Sequence, residues 1–344
     1  MKRRHDRVAV VLIALMIGFL FVDVVYASES KPGQKIAIFP FENFSGDRNA
    51  PAVIMPKLRS RLEEKGYEVL KEDQMNGFLL KERVRTAGYI SKETAKKIGE
   101  ELRVQVILTG SVNSFVEGEN PHAGFTAFVV NASDGSLAWA NHAAATAEDF
   151  EKILGLGKID GLDKLSEKVL DSLLKTLQIS LSKRPSESAY IVAVMPFQNK
   201  CRSGDAGMMT TYMFIAELFK SRKFTPLEYG EVRRLVVDLR MKDKGEINLK
   251  NAEAVAGSAG VDGIVVGCID AYREGSGISV PPEVEISARL INARKGKILW
   301  SRSSQVKGDD GVIMLDWGRI WSPENVAYKA ITKLVKDMEN TKWR

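Results

Sequence analysis

Ile36-Ala37-Ile38-Phe39-Pro40-Phe41-Glu42-Asn43 returns further along the chain as Val192-Ala193-Val194-Met195-Pro196-Phe197-Gln198-Asn199. Each version is a short apolar run that ends at a proline, the pattern of a buried strand and its exit. Two more pairs follow in the same order. Val104-Gln105-Val106-Ile107-Leu108-Thr109-Gly110 returns as Val261-Asp262-Gly263-Ile264-Val265-Val266-Gly267. Val130-Asn131-Ala132-Ser133-Asp134-Gly135, followed by Trp139, returns as Ile291-Asn292-Ala293-Arg294-Lys295-Gly296, followed by Trp300. The offsets are 156, 157 and 161 (192−36, 261−104, 291−130). Such a period is the size of a whole domain, not of a solenoid repeat. The 344-residue chain therefore reads as two tandem copies of one domain, each long enough to bury its own core.

The elements around these motifs fall in matching places. Leu58 and Leu62 lie on a helical segment stopped by Gly66; Met209, Tyr212, Ile215, Ala216 and Phe219 recur at helical spacing in the second copy. Short strands are predicted at Tyr67 to Leu70 and Phe224 to Leu227, then charged helical stretches over 72–86 and 91–102, matched by 229–241 and 248–259. Past Gly110 and Gly267 come hairpins, turning at Ser133-Asp134-Gly135 and at Lys295-Gly296. Each copy closes with a helix, lined by Leu162, Leu165, Val169, Leu173 and Leu177 in the first and by Ala327, Ile331, Leu334 and Met338 in the second. Ser322 is the expected N-cap of the last helix and Pro323 its first residue. The predicted fold class is α/β: two tandem copies of a mixed α/β domain, over 35–182 and 189–342, joined by a short polar linker, 183–188.

The N-terminus reads as an address. Lys2, Arg3, Arg4 and Arg7 precede an apolar run from Val8 to Val22, and Val25-Tyr26-Ala27 supplies a cleavage site, so residues 1–27 are the expected signal peptide. The other reading is an uncleaved anchor, but that run is short against the roughly 20 residues a span requires, and Asp23 interrupts it. Both readings place the rest of the chain outside the cytoplasm, in the periplasm, with membrane contact only through partners or an uncleaved N-terminal segment. At 44% hydrophobic and 27% charged, the composition suggests neither a disordered chain nor a polytopic membrane protein. Of the net charge of +6, the leader holds +2; what remains is spread thinly and does not indicate a nucleic-acid binder.

A search for chemistry finds little. His5, His122 and His142 are too scattered for metal ligation and read as surface residues, and no Cys pair supports a zinc site. No Gly-x-Ser-x-Gly elbow occurs, and Gly155-Leu156-Gly157-Lys158 lacks the rest of a phosphate loop. No catalytic residue, metal or cofactor is therefore assigned. Cys201 and Cys268 are the only cysteines and form a possible disulfide in an oxidising compartment; two separate thiols are the other reading. The basic stretch Arg233, Arg234, Arg240, Lys242 and Lys244 is interleaved with acids and reads as a solvated helix face. Partner-binding candidates are the strand-end residues Phe41, Asn43, Phe197 and Asn199, and the aromatic segment Trp317, Ile320 and Trp321, which has no match in the first copy. The plainer accounts are that Pro-Phe packs inward, that Asn closes its own turn, and that the aromatics cover the core or the contact between the domains.

A first strand ending in Pro-Phe-x-Asn, the Gly46-Asp47 loop, a helix, an apolar strand ending in glycine, and a hairpin closing on Asn-Ala-x-x-Gly-x-x-x-Trp together resemble the CsgG-like domain. The order is similar also to the N-terminal domain of TolB and related envelope lipoproteins. The resemblance implies a non-catalytic binding or assembly factor of the bacterial cell envelope. Its partners would be envelope proteins, with self-association a further option. The alternative it implies is a curli-type outer-membrane secretion component forming a ring with other subunits. Departures from the family bear on that alternative. No lipid-anchoring Cys follows the leader, the connections over 114–124 and 271–280 are short and polar, and no propeller blades follow. An enzyme is the third and weakest reading.

Overall fold

A computed structural model describes residues 34–150, 159, 161–179, 189–201, 203–238, 254–255, 257–276, 279–312 and 318–341. The expected signal peptide, the 183–188 linker, Gly155 to Lys158, Arg240, Lys242, Lys244 and Trp317 lie outside the described residues. The first repeat runs β1 (Lys35–Ile38), β2 (Glu42–Asn43), α1 (Ala50–Glu64), β3 (Glu68–Val69), α2 (Glu72–Lys81), α3 (Lys92–Leu102), β4 (Val106–Val116), β5 (His122–Asn131), β6 (Leu137–Thr146) and α4 (Leu162–Leu174). The second runs β7 (Tyr190–Val194), β8 (Gln198–Asn199), α5 (Ala206–Phe219), β9 (Phe224–Pro226), α6 (Tyr229–Asp238), β10 (Gly263–Arg273), β11 (Glu283–Asn292), β12 (Ile298–Lys307) and α7 (Pro323–Asn340). The fold is mixed α/β in two similar sheet-and-helix units.

The two sheets share one topology. The first is ordered β3-β1-β4-β5-β6 with β2 on β4, the second β9-β7-β10-β11-β12 with β8 on β10. In each, the first three strands are parallel and the rest form antiparallel hairpins. Irregularities correspond as well. The β4–β5 ladder slips at Asn113 and the β10–β11 ladder at Asp270, one offset of 157 apart (270−113). Trp139 donates its indole N–H to the Thr176 carbonyl, and Trp300 donates to Asp337, each pair one offset of 161 apart (300−139, 337−176).

The motif glycine and the motif phenylalanine form one packing unit. A Cβ at Gly267 would lie 2.2 Å from the Phe197 ring, and one at Gly110 would lie 3.0 Å from the Phe41 ring and 2.1 Å from the Thr126 carbonyl oxygen. Both rings fill their cores, so both strands need glycine at that point.

One face of the first sheet carries α1 and α4, through Ile54, Leu58 and Leu62 and through Leu165, Val169 and Leu173. The other face carries α2 and α3 over its parallel end. The hairpin end of that face is covered from the second repeat, by α5 and α7. These two helices also cover the inner face of their own sheet, against Val284, Ile286, Leu290 and Trp300. The order of layers is α1 and α4, first sheet, α5 and α7, second sheet. α5 is therefore buried on every side, including Met209, Tyr212, Met213, Phe214 and Ala216. A helix that is apolar all round is a core helix.

Candidate functional site

At the seam between the repeats, equivalent positions of the two copies carry different residue types, such as Phe128 against Arg289 and Met213 against Lys57. From the first sheet, Ser111, Asn113, Thr126 and His142 point into it as a chain of hydrogen bonds. Ser111 Oγ donates to Asn113 (2.6 Å), Asn113 Nδ2 donates to Thr126 Oγ1 (3.0 Å), and Thr126 Oγ1 pairs with His142 Nδ1 (3.1 Å). Phe128 meets Tyr212 edge-on at 5.6 Å, and the His142 ring lies 4.7 Å from that of Tyr328. Tyr328 donates to Glu217 at 2.6 Å and accepts from Lys220 at 2.6 Å. Asn325 Nδ2 donates to the Ala144 carbonyl across the seam at 2.8 Å.

His142, expected at the surface, is thus a seam residue only 6% exposed. Its burial depends on helices that lie far away in sequence, so its own strand carries no signal of it. Burial, with the Lys220 charge nearby, holds its imidazole down at about 3, so the ring is neutral. Nε2 has no hydrogen-bond partner among the described residues. Glu324 enters the same seam from the first turn of α7. Its carboxyl packs where a Cβ on Gly124 would stand, 1.8 Å from Oε2. Burial pushes Glu324 up to about 7, against the pull of the neighbouring Ser114 and Asn113 side chains. Its Oε2 finds no partner of good geometry among the described residues.

At the other end of the seam two helix N-termini meet. Glu228, ahead of α6, accepts from the Ile90 and Gly230 amides, and Glu231 accepts from the Lys92 amide that opens α3 at 2.8 Å. Carboxyl groups suit these helix starts, because the free N–H groups and the helix dipole favour acceptors there. Glu228 is nevertheless pushed up to about 8, by burial above all. Beside this junction opens a cleft of about 920 Å³, bordered by both repeats. Leu137, Ile191, Phe219 and Leu227 form apolar walls, and Lys92 and Arg222 stand among its charged residues.

The strand-end candidates are held by their own copies. Phe41 and Phe197 are 6% and 4% exposed, so neither ring is open to a partner. Asn43 Nδ2 donates to the Asp47 carbonyl and its Oδ1 accepts from the Ser45 amide. Asn199 repeats the turn with Ser203 and Cys201. Ile320 is half-buried against the core, and its amide donates to the Gly308 carbonyl at the end of β12 (2.8 Å). Trp321 is half-buried with the Arg319 guanidinium over its ring at 5.0 Å, and its backbone amide is near enough to Asp149 of the first repeat to lower that carboxyl slightly against the rise that burial causes. Ser322 accepts from the Asn325 amide and caps α7, with Pro323 in the first turn, as the sequence predicts. Cys201 and Cys268 stand as free thiols, so the possible disulfide is not formed here. Among the described residues, no group of three or more His, Cys, Asp or Glu side chains could hold a metal ion. No helix among them is long and apolar enough to cross a membrane.

No protein-family model and no curated protein sequence matches the chain. Solved structures similar to it include the PelC dodecamer from Paraburkholderia phytofirmans, at 18% identity and a TM-score of 0.33, covering 47% of this chain and 95% of that one. Lipoprotein GNA1162 from Neisseria meningitidis gives 18% and 0.33, covering 44% and 99%. The LpoB C-terminal domain from Salmonella enterica gives 14% and 0.28, covering 40% and 90%. At these identities and TM-scores the likenesses bear on neither activity nor partners.

Proposed function

We propose that the chain is an exported, non-catalytic protein of the bacterial cell envelope that works by docking other proteins. In this reading residues 1–27 direct export, 35–182 and 189–342 are the two domains, and the second domain carries the partner contact. One observation supports it above the rest. The hairpin face of the first repeat receives two helices, α5 and α7, that belong to a different domain. The fold therefore offers a face suited to taking helices. The corresponding face of the second repeat, over β10 to β12, is open: Arg289, Ser301, Ser303 and Gln305 are exposed along it. Ile320 and Trp321 adjoin the end of that hairpin, where the Gly308 amide donates to the Pro282 carbonyl and the Gly308 carbonyl accepts from Ile320. The occupant of the open face would be a helical segment of another envelope protein, with a polar face to match.

A photo-crosslinking residue placed at Ser303, on the open face, and separately at Arg59, on α1, tests this in the native host. A discrete envelope adduct from position 303, lost on Glu285→Ala with Arg289→Ala, supports docking there. Equal adducts from both positions, or none from 303, would sink it. Fractionation of the same cells checks export, and a cytoplasmic chain defeats the whole reading.

A further inference from the structure

The cleft beside the α3–α6 junction is not absorbed by a docking role, and its lining is unusual in two ways. Its walls keep apolar side chains partly open: Leu137, Ile191, Phe219 and Leu227 are half-buried at the margin of the core. Its acids are already engaged internally. Asp134 accepts from the Ser136 amide and hydroxyl in its own turn. Glu231 takes the Lys92 amide and the Arg234 guanidinium, and Glu228 takes two backbone amides. Its cations are not all matched. Lys220 is held by Tyr328 and Glu217, and Arg234 by Glu231 and Asp238. Lys92 and Arg222 have no ionic partner among the described residues, although both line the cleft and both are exposed.

A cleft of about 920 Å³ is within the range that holds a single small ligand. Apolar walls with a few convergent charges are the usual make-up of such a site, the walls giving affinity and the charges orientation. We infer that this cleft binds a small single-chain amphiphilic anion, its phosphate or carboxylate head held by Lys92 and Arg222 and its apolar body lying on Leu137, Phe219 and Leu227. The chemistry asks for both halves of the ligand. A bare anion would gain only two exposed cations, each worth little in water. A neutral amphiphile would leave the cations unanswered. Both repeats line the site, which neither would form alone.

Calorimetric titration of the full mature chain, below micelle formation, tests this with four probes: dodecyl phosphate, dodecanoate, inorganic phosphate and a neutral dodecyl glycoside. The expected result is saturable binding of dodecyl phosphate or dodecanoate, with inorganic phosphate and the glycoside at least ten-fold weaker. The order of the first two tells which head the site prefers. Lys92→Ala with Arg222→Ala should weaken the amphiphile at least ten-fold without moving the melting temperature, since both side chains are exposed. Glycoside binding as tight as dodecyl phosphate, binding unchanged in the double variant, or no binding of either amphiphilic anion would overturn the inference. None of these outcomes touches docking on the β10–β12 face, which is read by crosslinking.

Discussion

The hairpin face of the first sheet and the hairpin face of the second have the same strands, the same register and opposite fates. Phe128, Ala140 and Gly124 line the first, which is closed by α5 and α7; their counterparts 161 positions on are Arg289, Ser301 and Glu285, which face solvent or lie half-exposed. The helices diverged in step. On α5 the seam-facing side is built from Met209, Tyr212, Met213 and Ala216, where α1 has Val53, Pro56, Lys57 and Ser60 at an offset of 156 (209−53). The two surfaces that meet thus carry apolar side chains around a buried polar chain from Ser111 to His142, and the two that end the stack are polar. Terminal units of stacked proteins need such polar outer faces for solubility.

Exchanging residues between the two faces tests how far each depends on its own side chains. Phe128→Arg places in the seam the residue that the second repeat carries in the open. A guanidinium there would stand against the Tyr212 ring, in a space now filled by a buried aromatic. A destabilisation of about 3–5 kcal/mol is expected, from the lost ring and the burial of a charge, read by denaturant unfolding. A loss under about 1 kcal/mol would mean that the seam opens readily.

Gly124→Ala probes the tightest point of the same contact. Its Cβ would land 1.8 Å from Glu324 Oε2, so either the carboxyl or the strand must shift. The expected cost is roughly 1–3 kcal/mol, as for other overpacked sites. Combined with Glu324→Ala the cost should largely vanish, and a cycle with strictly additive effects would place the strain elsewhere.

Three buried titratable groups between the repeats make stability depend on pH. Glu324 is raised from 4.5 to about 7 and Glu228 from 4.5 to about 8. Between the unfolded and folded values the folded chain holds the extra protons, so these groups make stability fall as pH rises from about 4.5. His142 works in reverse. It is lowered from 6.5 to about 3, so the unfolded chain holds the proton over that window and stability climbs with pH through it. Above pH 6.5 only the carboxyl effect remains, and stability falls towards pH 8. Glu324→Gln should be near neutral at pH 4.5 and more stable than the native chain by about 1–2 kcal/mol at pH 8, allowing for the weakened contacts to Asn113 and Ser114. A difference that ignores pH would show that Glu324 is not the group responsible.

Much of this fold is written locally. The strand motifs and the Ser322 cap depend on neighbours in sequence and can be read from residue type and spacing, whereas the Gly110–Phe41 and Gly267–Phe197 contacts join residues 69 and 70 positions apart (110−41, 267−197) and show only in the fold. The seam is different. Met209, Tyr212, Ile215, Ala216 and Phe219 announce a helix, but only burial against two sheets explains why Met208, Met213 and Phe214 are apolar as well. His142 and Glu324 give no warning, because a polar residue on a strand or at a helix start reads as solvated unless the covering element is known. A line-by-line comparison of the copies carries the missing signal, in pairs such as Phe128 with Arg289 and Met213 with Lys57. The cleft had no sequence signal, since Lys92, Leu137 and Arg222 come to line one space only through the packing of one repeat on the other.

The smallest effect is expected for the exchange on the open face. Arg289→Phe puts the seam residue of the first repeat on the open face of the second. Arg289 is exposed and lies opposite Ser301 in the β11–β12 ladder, so its removal should change stability by no more than about 0.5 kcal/mol. The question is whether one aromatic turns the open face into a stacking face for a second copy, presented through α1 and α4. The rest of the surface argues against it. Where Glu324 meets Gly124 and Asn113 inside the chain, the corresponding Asp163 of an incoming copy would meet Glu285 and Asp270, three carboxylates in the place of one. Lys57 and Arg61 would have to leave Asp163, Glu167 and Asp171, which now hold them. Like charges brought together and desolvated oppose association. The variant is therefore expected to sediment as the native chain does, at equal stability. If Arg289→Phe alone produced concentration-dependent head-to-tail oligomers, the polar faces would not be the caps that their divergence indicates, and the two ends of the stack would be one substitution away from continuing it.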